Sequence, residues 1–443
     1  MTKHNTNSYY IWTIGCQMNT ADSEKLSSIL SGLGFNESQN AEEANIVVLN
    51  SCVIRQSSED KVTGMLTSLK TLKQNSKDTI IALMGCMVGP KTQNLERKFP
   101  YVDVFMKPQE YEPLINIIEE YLGIDTTGCL SNLQPVKPHV STNVPIIHGC
   151  DEFCSFCIIP YRRGRQISRN ISDIINEVTL LTQKGVKEIT LLGQTVDAYG
   201  HDLSSKTDLS ELLQAVNEID QLERIRFLTS HPLYMSDKII ESVASLSKVC
   251  EHILLPFQAG ADSVLGNMRR GYTKQNYLSL VEKIKSRVPN VSMSTDVIVG
   301  FPGETQAEFE STLDILEQIK FDKVHMAAYS RRPGTIAYRT MEDSVELTEK
   351  KKRLKSVEQL QEKISSEINS SLVGQFLDIL VEGKYGNKWF GRTRTNKLVY
   401  FDSENDLSGN IANVLIHESS PWSLKGKLNA PNPAINKGEE YVH

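Results

Sequence analysis

The chain lacks any apolar run approaching the roughly 18 residues of a membrane span, although 40% of its 443 residues are hydrophobic. Its first ten residues, MTKHNTNSYY, lack a signal-peptide core, so the expected location is the cytoplasm, with no membrane partner. Positive charge is also short: 48 Lys and Arg against 54 Asp and Glu leave a net charge of −6. That excludes a global field drawing in nucleic acid or a lipid surface, so any RNA contact must be local. No internal repeat and no low-complexity tract stands out, and the hydrophobic content excludes disorder and collagen-like structure. What the chain does have is eight cysteines. In a reducing compartment these are better read as metal ligands than as disulfides.

Periodicity divides the chain into three parts. Over residues 1–123, β-rich runs (YYIWTIGC, NIVVLNSC, TIIALMGC, VDVFMKP) alternate with amphipathic stretches, which predicts a parallel doubly wound α/β sheet. Residues 124–143 read as a linker. Over 144–343, six candidate strands (VPIIH, EITLLG, IRFLTS, HILLPF, VSMSTDVIVG, KVHMAAYS) predict a partial (β/α)6 barrel, too few strands for a closed one of eight. Residues 344–370 read as an amphipathic connector helix with Leu347, Leu354, Val357, Leu360, Ile364 and Ile368 as its apolar stripe. Residues 371–433 alternate short strands with Gly and Asn turns, which predicts a small antiparallel β-barrel, and 434–443 read as a loose tail.

The segment HGCDEFCSFC spaces Cys150, Cys154 and Cys157 as C-x3-C-x2-C directly after the first barrel strand. Structural zinc needs four ligands, typically as two separated pairs, and no second pair is near. A 4Fe-4S cluster normally takes four cysteines, so three leave one iron open for substrate or cofactor. Zinc stays the alternative. The motif resembles the radical S-adenosylmethionine (SAM) superfamily, and the resemblance implies that the open iron binds SAM and cleaves it to methionine and a 5′-deoxyadenosyl radical. It also implies a place for Phe156 beside the adenine, where core packing is the competing role.

Cys16, Cys52 and Cys86 each end a predicted strand of the first domain. The carboxyl ends of parallel strands share one edge, so three cysteines distant in sequence converge there. The competing reading is that buried cysteine is a common strand residue. The stretches GCQMNTADSE, NSCVIRQSSEDKV, GCMVG, HGCDEFCSFCIIPYRRGRQISR, LLGQTVDAYG, LTSHP, LPFQAGADSVLGNMRRGYT, STDVIVGFPGET and AYSRRPGT resemble the methylthiotransferase family. The terminal barrel resembles a TRAM domain, an RNA-binding module. GCQMN and GRTRTNKLVYF most resemble the MiaB-type branch. Asn50-Ser51-Cys52-Val53 departs from that family's usual Asn-Thr-Cys motif.

The resemblance implies two 4Fe-4S clusters, one on Cys150, Cys154 and Cys157 for SAM cleavage and an auxiliary one on Cys16, Cys52 and Cys86 that carries or donates sulfur. SAM would serve as radical source and as methyl donor. The implied reaction adds a methylthio group to carbon 2 of an isopentenylated adenosine next to the anticodon of tRNA. An electron donor such as flavodoxin or ferredoxin is implied, and a monomer is expected. Gly193, Gln194, Ser230 and Asp296, at strand ends, are candidates for holding SAM, each with a structural polar role as the alternative. Arg162, Arg163, Arg165 and Arg169 beside the cysteine loop are candidates for the anticodon stem-loop, as Arg forks onto phosphate. Trp389, Arg392, Arg394 and Lys397 combine an aromatic face with cations suited to RNA, in a terminal region whose eight Lys and Arg balance eight Asp and Glu. The alternatives are the same chemistry on threonylcarbamoyl adenosine or on an aspartate of a ribosomal protein, and a non-catalytic RNA-binding protein with a redox-sensing cluster.

Overall fold

The computed structural model describes residues 7–53, 56–130 and 138–429. The expected tail, residues 430–433 of the expected terminal domain and part of the linker lie outside them.

Five parallel strands build the first domain: β1 (Ser8–Thr13), β2 (Asn36–Glu37), β3 (Ile46–Ser51), β4 (Ile80–Gly85) and β5 (Val104–Met106), in the order β2-β1-β3-β4-β5. Every residue of β3 and β4 is buried, as expected for parallel strands covered on both faces. Alternate residues feed opposite layers: Val47, Leu49, Ile81 and Leu83 one, Ile46, Val48, Ile80 and Met84 the other. The two-residue β2 was not expected.

The second domain begins at β6 (Ser141–Pro145), inside the stretch read as linker, because Ser141–Pro145 pairs with β9. A small hairpin, β7 (Ile147–His148) with β8 (Ile167–Ser168), flanks the cysteine loop. Then come β9 (Glu188–Leu192), β10 (Arg224–Phe227), β11 (His252–Leu254), β12 (Ser292–Val299) and β13 (Lys323–Ala328). They pair as β6-β9-β10 and β11-β12-β13, and an Ile225–Val249 bridge joins the halves into an open six-stranded arc. Large apolar residues, among them Phe227, Phe257, Phe301 and Phe321, fill it.

The helix Leu347–Ser370 lies where the connector was expected, but its buried face is rotated from the apolar stripe. Leu347 is 63% exposed, while Lys350, Arg353, Val357, Gln361 and Ile364 are buried. The reason is pairing: Arg353 meets Glu304 at 2.8 Å, Lys350 meets Asp343 at 2.6 Å, and Gln361 donates to the Phe321 carbonyl.

The last domain is a closed barrel of β14 (Phe376–Tyr385), β15 (Lys388–Arg392), β16 (Leu398–Asp402), β17 (Ile411–Ser419) and β18 (Leu424–Leu428). It is not wholly antiparallel, since β16 and β18 run parallel. It docks on the amino ends of the arc. Arg224 donates to the carbonyls of Arg392 and Asp378, Arg226 to those of Thr393 and Arg394, and Ser292 to that of Thr395.

Candidate functional site

Each amino-terminal cysteine stands just past its strand. Cys16 precedes the helix Gln17–Gly32 as its cap residue, and Cys52 and Cys86 directly follow β3 and β4. Two glycines set the approach of these ends. Gly15 (φ +145) and Gly85 (φ +100) are in a region that disfavours side chains, and a Cβ on Gly15 would meet the Cys52 Cβ at 2.8 Å.

An amide network binds the three ends together. Asn19 Nδ2 donates to Asn50 Oδ1 at 2.9 Å and to the Ser51 carbonyl at 3.0 Å, and Asn50 Nδ2 donates back to the Asn19 carbonyl at 2.7 Å. Ser51 Oγ donates to the Met84 carbonyl, and the Cys86 amide donates to the Ser51 carbonyl. These residues were not singled out as site residues from the sequence. The signal was present in their positions, directly beside Cys52 and three residues after Cys16.

In the second group, Cys150 Sγ lies 3.5 Å from Thr195 Oγ1, and the Cys157 amide donates to the Cys154 carbonyl at 2.9 Å. Arg270 Nη1 donates to Cys154 Sγ at 3.2 Å, a contact that periodicity could not reveal across 116 positions. Burial works against the Arg270 charge, but Tyr272 and Cys154 outweigh it and raise its pKa. One apolar cluster includes Val53, Cys86, Met87 and Val88 from the first domain and Cys150, Ile158 and Ile159 from the second. Cys86 of the first group and Cys150 of the second therefore share one packed cluster, with Cys157 against it.

All eight cysteines are free thiols. Burial, then the neighbouring Cys154, pushes the Cys157 thiol up to about 12, and burial also raises Cys150 and Cys86. Buried thiols that resist ionisation in the bare protein become stable thiolates when a cation is bound. Among the described residues, no three His, Cys, Asp or Glu side chains gather tightly enough for a single metal ion. A cubane takes its thiolate ligands at separate iron corners, and three free thiols per group are the donor chemistry such a cluster uses.

Around the loop, Gly193 sits against Ile147, and Gln194 and Asp296 are half-buried. Ser230 is 4% exposed with its hydroxyl unpartnered. Phe156 is half-buried and packs on the arc's core. Beside Ser230, the His231 amide donates to Asp197, and Tyr234 donates to Glu152. Burial, then Arg270, lowers the His231 pKa to about 2.

The arginines separate. Arg165 is exposed, 72% of its side chain, and pairs with Asp151. Arg162 presses on Gly89 and, with Lys107 and Tyr161, lines a cleft of about 680 Å³ between the two domains. Arg169 pairs with Glu177 and donates to the Pro145 carbonyl. Arg163, at the wall of the same cleft, turns its guanidinium inward, buried against Asp22 at 3.0 Å. In the last domain Trp389 is core, 4% exposed, with its Nε1 donating to the Ser403 carbonyl. Arg394 grips Glu251 and the carbonyls of Ser247 and Val249, Lys397 pairs with Asp322, and Arg392 leans on Glu382. Of the residues expected to contact RNA here, Trp389 thus packs in the barrel core, while Arg394 and Lys397 pair across the docking surface with the arc.

Residues 144–316 match the radical SAM superfamily, residues 8–107 the uncharacterized protein family UPF0004 and residues 370–428 the TRAM domain. The tRNA-2-methylthio-N(6)-dimethylallyladenosine synthase of Dehalococcoides mccartyi (strain ATCC BAA-2266 / KCTC 15142 / 195) is 46% identical over 420 residues, covering 95% of this chain and 98% of its own. The synthase of the same name from Herpetosiphon aurantiacus is 45% identical over 433 residues, covering 97% and 99%. The chain belongs to this synthase family. As a family member it is a transferase, a radical SAM tRNA methylthiotransferase, and 4Fe-4S chemistry and SAM come with the superfamily. Among solved structures, the radical SAM methyltransferase TsrM from Kitasatospora setae covers 75% of this chain and 77% of its own at 12% identity, with a TM-score of 0.55. The cobalamin-dependent SAM radical enzyme OxsB covers 81% and 56% at 11% identity, with a TM-score of 0.51. Both likenesses concern the fold.

Proposed function

We propose that this methylthiotransferase acts on carbon 2 of an isopentenylated adenosine next to the anticodon, with Cys150, Cys154 and Cys157 holding the SAM-cleaving cluster and Cys16, Cys52 and Cys86 an auxiliary one. The observation that carries this is the apolar cluster that holds Cys86 of one group and Cys150 of the other, with Cys157 packed against it. When bound, the two clusters supply one-electron cleavage of SAM and a site for sulfur. The chain's own residues do the rest. Arg270 holds Cys154, Thr195 stands beside Cys150, and the Asn19–Asn50 network fixes the first-domain strand ends. The buried Ser230 hydroxyl, with Gly193, Gln194 and Asp296 at neighbouring strand ends, is assigned to SAM, and Phe156 to the adenine.

RNA is assigned to the interdomain cleft, through Arg162, and to Arg165 at its rim. On the TRAM barrel it is assigned to the outward row formed by Phe390, Tyr400 and Lys425, neighbours across β15, β16 and β18. Aromatic faces beside a cation suit unpaired bases and phosphate. The enzyme is taken to work in the cytoplasm as a monomer with a flavodoxin- or ferredoxin-type donor, its domains dividing as the sequence reading has them, with the barrel beginning at Ser141.

The test is nucleoside mass spectrometry of tRNA from a deletion strain. Loss of the methylthio group from isopentenyladenosine is expected, and its persistence overturns the substrate. Cys154→Ala is expected to abolish 5′-deoxyadenosine formation from SAM; unchanged formation overturns the cluster assignment.

A further inference from the structure

The cysteines leave a buried polar seam between the first domain and the arc unexplained. Arg163 ends the short helix Ile159–Arg163, just past Cys157 on the arc's side of the seam. Its guanidinium enters the first domain, where Nη2 donates to Asp22 Oδ2 at 3.0 Å, with the side chains only 3% and 1% exposed. Asp22 lies on the helix that starts at Cys16. The same guanidinium acts on Cys86 and Cys16. A second link runs alongside: Gln109 Nε2 and His148 Nδ1 are 2.6 Å apart, and His148 stands two residues ahead of Cys150. Both flanks of the arc's cysteine loop are thus tied to the first domain.

A buried ion pair adds little net stability over well-packed apolar residues, because desolvation offsets the attraction. What it adds here is register. The apolar contacts of Met87, Val88, Ile158 and Ile159 are non-directional and allow small slips, whereas a hydrogen-bonded charge pair has one geometry.

We propose that Arg163, gripped by Asp22, is a positioning residue that sets one separation between the Cys150–Cys157 loop and the strand ends carrying Cys16 and Cys86. The proposal rests on the methylthiotransferase reading, in which chemistry begun at one cysteine group is completed at the other. A displacement of about 1 Å then costs on the order of 100-fold in rate.

Arg163→Met, Arg163→Lys, Asp22→Asn and the Asp22→Asn/Arg163→Met double variant are purified anaerobically beside the wild type. In thermal unfolding, the double variant is expected to lose no more in Tm than the worse single variant, since the pair acts as a unit; additive losses overturn the pairing. In turnover with SAM, a chemical reductant and isopentenylated tRNA, Arg163→Met is expected to raise the ratio of 5′-deoxyadenosine to methylthiolated product about tenfold or more. Arg163→Lys, which keeps the charge, is expected to restore much of the coupling. An unchanged ratio in Arg163→Met overturns the proposal. A wild type that forms 5′-deoxyadenosine but no methylthio product overturns the substrate reading instead, and the thermal comparison then decides on the pair.

Discussion

Arg270 reaches the Cys154 sulfur at 3.2 Å, the Pro256 carbonyl at 3.3 Å and the Tyr272 hydroxyl at 3.2 Å, all in a buried setting. Arg270→Met removes three donors there, and about 1–3 kcal/mol of stability is expected to go, as read from urea unfolding. Arg270→Lys keeps the charge but not the fork, so it is expected to fall between the two. Two histidines make a pH prediction. Burial, first of all, depresses His231 to about 2 and His252 to about 3, from an ordinary 6.5. The unfolded chain then binds more protons than the folded one below about pH 6.5, so this stability is complete above that pH and is lost as pH falls toward 3. Between pH 6.5 and 4.5 each histidine contributes a loss of roughly 2 kcal/mol. The urea midpoint is expected to drop over that interval, and His231→Gln to flatten the drop. At this scale the places of Cys16, Cys52 and Cys86 at strand ends were legible from the strand pattern, whereas the contacts of Arg270 and Asn19 were not, because their partners are fixed by folding rather than by period.

The helix Leu347–Ser370 shows how an element can mislead. Its apolar residues mark a stripe, yet the buried face carries Lys350, Arg353 and Gln361, because Glu304, Asp343 and the Phe321 carbonyl await them. Hydrophobic periodicity located the helix and missed its rotation, since pairing partners elsewhere in the chain do not register in a local pattern. Arg353 and Glu304 are 6% and 1% exposed in their side chains. Arg353→Ala strands the Glu304 carboxylate and is expected to cost roughly 3–5 kcal/mol, seen as a lowered Tm. An Arg353→Met/Glu304→Gln pair is expected to recover most of it. The strands were easier to read, because β3 opens with four apolar residues and β4 with five, the pattern of parallel strands buried on both faces.

For the molecule as a whole, the division into sheet, arc and small barrel was visible in changes of pattern along the chain. How the parts dock was not: Trp389 packs in the core of the last domain, and Arg394 and Lys397 reach across to the arc. Arg394 fastens that domain through Glu251 and two carbonyls. Arg394→Ala is expected to loosen it, with a larger radius of gyration in solution scattering and faster proteolysis, while its own fold persists. The docking has a geometric consequence. The TRAM barrel sits at the amino ends of the arc, around Arg224, Glu251 and Ser292, and the cysteine loop lies at the carboxyl ends, so strands of three to eight residues separate them, roughly 10–25 Å. An RNA held at both places must pass along the flank of the protein like an object in the jaws of a caliper. On the proposed assignment of RNA to both places, a hairpin too short to touch both jaws is expected to be a poor substrate whatever its sequence, read as a fall in kcat/KM when the stem is truncated.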